Sequence, residues 1–89
     1  MNRDGRSLTL VSATDCHLCS HTHELLHRME SEFHFIVLEI DWESPEGQTM
    51  VQADGVPFPP ALYIEGRFVA YGRLSEKRIR QLLAESVPR

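Results

Sequence analysis

The sequence predicts an α/β domain, a four-stranded mixed sheet with helices on both faces, in the order β-α-β-α-β-β-α. Three observations carry this. Strand-like stretches at residues 7–13 and 33–41 flank a stretch of helical periodicity at residues 16–30, the pattern of a right-handed βαβ crossover. Two short strand-like stretches, 61–64 and 67–71, are separated only by Glu65-Gly66, which is hairpin spacing. A final amphipathic stretch follows Ser75 and places Ile79, Leu82 and Leu83 on one side.

Each element has a local reason. Residues 1–6 are polar and read as a loose tail, with a single domain over 7–89. Ser7-Leu8-Thr9-Leu10-Val11-Ser12-Ala13 partly alternates and carries β-branched residues. At about 100° per residue, Thr22, Leu25, Leu26 and Met29 share one face of the first helix. The run at 33–41 is nearly continuous in apolar residues, which predicts a central strand covered on both faces. Ser44 then reads as an N-cap with Pro45 at the first helical position, and Gly55 ends that short helix. Val56-Pro57-Phe58-Pro59-Pro60 forms a rigid, extended approach to the hairpin.

Composition narrows the function classes. At 89 residues the chain holds one core, not two, and its net charge of −4 argues against a phosphate-backbone partner, so no nucleic-acid binding is expected. No apolar run approaches the roughly 20 residues that span a bilayer, and the N-terminus lacks a signal-peptide pattern. The expectation is a cytoplasmic monomer with no membrane association. In a reducing compartment a lone cysteine pair points to redox or metal chemistry rather than to a structural staple.

That pair is Cys16 and Cys19, spaced Cys-x-x-Cys where the first strand gives way to the first helix. A helix start offers unpaired N–H groups and the positive end of a dipole, and both favour a thiolate. Two intervening residues let the second sulfur close on the first after it has reacted. Disulfide exchange is the leading reading; inert burial and metal binding are the alternatives. His17 would favour the Cys16 thiolate and Asp15 would oppose it by like-charge repulsion, so the net sign stays open. His23 continues the cysteine stripe at an i+4 step, so Cys16, Cys19 and His23 form the alternative zinc or copper set, with His27 a further turn on. His21, His34, Trp42, Tyr63 and Tyr71 read as packing or surface residues, and Phe58 reads equally as packing or as a groove wall.

The element order, the dithiol after the first strand, and a proline just before the third together resemble the thioredoxin fold. The glutaredoxin-like branch is the nearest match. Pro60-Ala61-Leu62-Tyr63-Ile64-Glu65-Gly66 resembles the proline-strand-turn segment in which a cis proline faces the dithiol, and Cys16-His17-Leu18-Cys19 resembles compact glutaredoxin-like dithiols. The resemblance spans roughly residues 8–83. It implies Cys16 as the exposed attacking thiolate and Cys19 as the more buried resolving thiol. It also implies a substrate groove shaped by Pro60, with Pro59 as the alternative cis residue. The implied activity is thiol–disulfide exchange with a disulfide-containing protein or small thiol, needing an electron donor but no cofactor beyond the redox-active disulfide.

The departures from that pattern concern glutathione. Pro59 stands where the family offers a backbone N–H to the cysteinyl part of glutathione, and proline has none. No basic residue lies in Ser12-Ala13-Thr14-Asp15, and Ala70-Tyr71-Gly72-Arg73-Leu74-Ser75 lacks the glycine pair and acids that hold glutathione. The acid of thioredoxin's first strand is also missing, since Leu8, Leu10 and Val11 occupy it. Glutathione dependence is therefore not expected. The rival readings are a metal-handling module and a redox-silent binding domain.

Overall fold

Seven elements follow the expected order in a computed structural model that describes residues 6–85. They are β1 (Arg6–Ser12), α1 (His17–Met29), β2 (Phe35–Asp41), α2 (Pro45–Ala53), β3 (Ala61–Ile64), β4 (Arg67–Tyr71) and α3 (Glu76–Glu85). The sheet order is β2-β1-β3-β4. β1 pairs with β2 in parallel, as a crossover through α1 requires, and antiparallel with β3; the β3–β4 hairpin closes the sheet. The sequence expectation of an α/β, thioredoxin-like architecture with a mixed four-stranded sheet holds. Residues 1–5 of the predicted tail lie outside the described residues, and Arg6 belongs to β1, its guanidinium donating to the Leu83 carbonyl at 2.7 Å.

Period-two alternation along β1 sorts the core into two layers. Leu8 and Leu10, with Leu62 and Ile64 of β3, face α1 and α3 and pack against Leu25, Leu26, Met29, Ile79, Leu82 and Leu83. Val11, Ala61 and Tyr63 face the other way and pack against Val51 of α2 and against Val56.

One expectation is overturned. The apolar run 33–41 predicts a central strand buried on both faces, but β2 is an edge strand that starts at Phe35, and β1 and β3 are the central pair. Phe35 and Val37 pack toward the α1–α3 core, while Ile36 and Leu38 are 58% and 54% exposed. The cause is the length of α2. Nine residues extend about 14 Å at 1.5 Å per residue, so α2 covers one end of its face and leaves the other open.

The caps follow the sequence logic. The Gly47 N–H donates to Ser44 Oγ at 3.0 Å, with Pro45 at the first helical position. Gly47 is needed for space as well, since a Cβ there would collide with the Asp41 carbonyl. The Arg78 N–H donates to Ser75 Oγ at 3.1 Å at the start of α3. Glu65 and Gly66 turn the hairpin with φ of +52° and +79°, both left-handed as a two-residue type I′ turn demands. No helix among the described residues is long and apolar enough to cross a membrane.

Candidate active site

The site stands at the C-terminal end of β1. β1 runs out at Ser12, whose carbonyl accepts from the Trp42 N–H at 2.8 Å, which ties the end of β2 beside it. Residues 13–15 then turn the chain, with Asp15 at φ +53°, and Cys16 caps α1 from an extended backbone conformation. An Asp tolerates that left-handed geometry better than most residues.

Cys16 and Cys19 are joined as a disulfide with Cα atoms 5.2 Å apart. Their environments differ. Cys16 is half-buried beside an open hollow of about 450 Å³, lined by Ala13, Thr14, Asp15, His17 and Ser20 as well as Cys16 itself. Cys19 is only 2% exposed, on the inward face of α1. The Cys19 N–H points at Cys16 Sγ, 3.1 Å away. A free N–H of the first helical turn aimed at a sulfur stabilises the thiolate formed when the disulfide opens. His17 lies exposed at the first position of α1.

The proline segment reaches the same end of the sheet. Val11 pairs with Ala61, so continuing the register puts Pro60 beside Ser12, at the root of the dithiol loop. The Pro59–Pro60 bond is cis, so Pro60 rather than Pro59 is the cis residue. Pro60 is fully buried, and its carbonyl accepts from the Gly72 N–H at 2.8 Å. Neither proline has an N–H, so this stretch of backbone offers no donors.

Aromatic rings flank the prolines. Phe58 and Tyr71 meet edge to face at 5.4 Å between ring centroids and are 47% and 43% exposed. Gly72, at φ +78°, leaves room for them, since a Cβ there would lie 3.1 Å from the Phe58 ring. Phe58 is thus partly exposed and partly packed, against Tyr71 and Gly72.

Sequence reasoning passed over Glu39. Its Oε2 accepts from Ser12 Oγ and meets His23 Nε2, each at 2.7 Å. The Ser12 hydrogen bond, with a smaller contribution from His23, holds its carboxyl below the usual carboxylate range against the opposing effect of burial. The signal was visible as the one acid inside the apolar run 35–40. The contact also locates His23. Sequence had placed His23 on the cysteine stripe, but its ring turns to β2, and with the disulfide closed both sulfurs are committed to each other. Among the described residues, no group of three or more His, Cys, Asp or Glu side chains is placed to hold a metal ion.

Comparison with solved structures gives one consistent result. A thioredoxin mutant from Halobacterium salinarum superposes with a TM-score of 0.69 at 20% identity, over 96% of this chain and 77% of that one. A protein of unknown function from Staphylococcus aureus gives 0.65 at 15% identity, over 93% and 92% of the two chains. Trxlp from Edwardsiella tarda gives 0.55 at 16% identity, over 98% and 85%. No protein-family profile matches the sequence. No curated protein matches it either.

Proposed function

The chain has the thioredoxin fold with a Cys-x-x-Cys disulfide at the start of its first helix, and from that premise we propose that it is a thiol–disulfide oxidoreductase. The observation that supports this reading best is the asymmetry of the pair: one sulfur at an open hollow on a helix N-terminus, the other almost completely buried. In the reduced protein the Cys16 thiolate attacks one sulfur of a substrate disulfide, and the other substrate sulfur leaves as a thiol. Cys19 then loses its proton and attacks Cys16 Sγ, expelling the second substrate thiol and closing the Cys16–Cys19 bond. Two electrons pass from the protein to the substrate, and a donor thiol returns them.

The substrate is a protein or low-molecular-weight disulfide that docks at Cys16 beside the Pro59–Pro60 segment, Pro60 itself being buried beneath it. Exchange takes place in the cytoplasm, with the protein acting as a monomer. No organic cofactor enters the cycle. The donor-free backbone at Pro59 and Pro60 supports a substrate other than glutathione.

Equilibration of Cys16–Cys19 against glutathione buffers tests the reading, with Cys19→Ser as the control. A reversible two-electron transition at or below roughly −200 mV is expected, in the range of cytosolic reductants. The control should trap a mixed disulfide at Cys16. Absence of any transition would refute the proposal.

A further inference from the structure

The closing step of the exchange puts a demand on Cys19 that the dithiol itself does not meet. Cys19 must lose a proton at a position only 2% exposed, where burial raises the pKa of a thiol. The helix N-terminus serves Cys16 instead, since the Cys19 N–H points at Cys16 Sγ. The inward face of α1, which carries Cys19, looks onto apolar side chains: Leu8 and Leu10 of β1, and Ile79 and Leu83 of α3. Of the ionisable groups around the dithiol, Asp15 and His17 are exposed, and the half-exposed His23 and Glu39 are paired with each other. The same face of α1 carries a polar side chain, Thr22, 0% exposed and one turn beyond Cys19. Among the described residues, its Oγ1 is a buried side-chain atom with no hydrogen-bond partner. It does not bond back to the carbonyl one turn earlier, the usual recourse of a helical threonine.

We propose, on the footing of the exchange reading above, that the Thr22 hydroxyl donates a hydrogen bond to Cys19 Sγ once the disulfide opens, and so eases the proton loss by which Cys19 resolves the mixed disulfide. Residues three apart on a helix are neighbours, with Cβ atoms about 5–6 Å apart, so an oxygen and a sulfur each one bond further out can meet. In the closed form Cys19 Sγ is bonded to Cys16 Sγ, and the hydroxyl has no partner. In the open form the Cys19 sulfur is released to accept. A buried donor left unpaired is costly, so the reduced and mixed-disulfide states gain a bond that the oxidised state lacks. A hydrogen bond to the charged form also favours the thiolate. Cys19 gives its proton to solvent and its thiolate attacks Cys16 Sγ. The bond from Cys16 to the substrate breaks, and the substrate sulfur leaves with the electron pair. Thr22 keeps its own proton throughout.

The test compares the wild type with Thr22→Val, which removes the hydroxyl at nearly constant shape, and Thr22→Ser, which keeps it. Equilibration against glutathione buffers is the first readout. Thr22→Val should favour the disulfide by about fivefold to tenfold, a potential about 20–30 mV lower, because only the open states lose a bond. The second readout is release of the second nitrothiobenzoate when the reduced protein meets dithiobis-nitrobenzoate, the step that Cys19 drives. Its pH profile should move to higher pH in Thr22→Val and stay in place in Thr22→Ser. The oxidised Val variant should unfold in urea at or above the wild-type midpoint, since no bond is lost there. A clear transition in the wild type, with Thr22→Val unchanged in potential and in profile, would overturn the inference and leave the exchange reading standing. A Ser variant that behaved like Val would overturn it too, by tracing the effect to packing. Absence of any transition in the wild type would overturn both.

Discussion

On one face of the sheet, α1 and α3 bury Leu8, Leu10, Leu62 and Ile64 under a continuous apolar layer. On the other, Val51 of α2 packs against Val11, Ala61 and Tyr63, with Ile40 of β2 at the margin, while Ile36 and Leu38 of β2 stay more than half exposed. The second face is supplemented by polar ties. Tyr63 Oη donates to Asp54 Oδ2 at 3.1 Å, fastening β3 to the end of α2, and Gln48 Nε2 donates to the Trp42 carbonyl at 2.7 Å. The difference shows where a small domain gets its stability: from volume filled on the covered face, and from individual hydrogen bonds where the covering helix is short.

The largest expected effect follows on the covered face. Leu10 is 0% exposed on a central strand, with packed neighbours on both helices. Leu10→Ala should cost about 3–4 kcal/mol in urea unfolding, transfer energy plus a cavity that the flanking strands cannot close. A loss below about 1 kcal/mol would mean that this layer is loosely packed and the contrast between the faces is false.

A smaller effect is expected on the α2 face. Tyr63→Phe keeps the ring against Phe68 and removes only the bond to Asp54, so about 1 kcal/mol should be lost near neutral pH. The same change should alter the alkaline limb. Burial first, and Asp54 second, push the Tyr63 phenol from 10.0 up to about 12. A raised folded value means that the stabilisation is complete below the unfolded value and is lost as pH rises through the folded one. Wild-type stability should therefore decline between pH 10 and about 12, and the Phe variant should lack that part of the decline.

The same contrast explains what could be read in the sequence. Order, caps and hairpin were legible because each is written locally: Ser44-Pro45, Ser75 and Glu65-Gly66 act over a few residues. The dithiol was legible for the same reason, as spacing at a strand-to-helix boundary. The position of β2 was not. An apolar run says that a strand is sticky, and whether both faces are covered depends on how far α2 reaches, which no residue of β2 encodes. Glu39 was passed over because its partners, Ser12 and His23, are 27 and 16 residues away and meet only once β1, α1 and β2 assemble.

Glu39 supplies the smallest expected effect, and the one that probes the open edge directly. Its folded pKa lies below the ordinary value of 4.5, chiefly through the Ser12 hydrogen bond and less through His23. A depressed carboxylate contributes stability that is present above its unfolded value and lost as pH falls through the folded one. The side chain is half exposed, so solvent screening keeps the contribution at or below about 1 kcal/mol. Chemical unfolding at pH 7 and at pH 3 should thus show Glu39→Gln less stable than wild type at pH 7, with the gap narrowing at pH 3. If the gap stayed constant or widened in acid, the carboxylate would not be what Ser12 and His23 hold. The edge of the sheet would then depend on packing alone, as the covered face does.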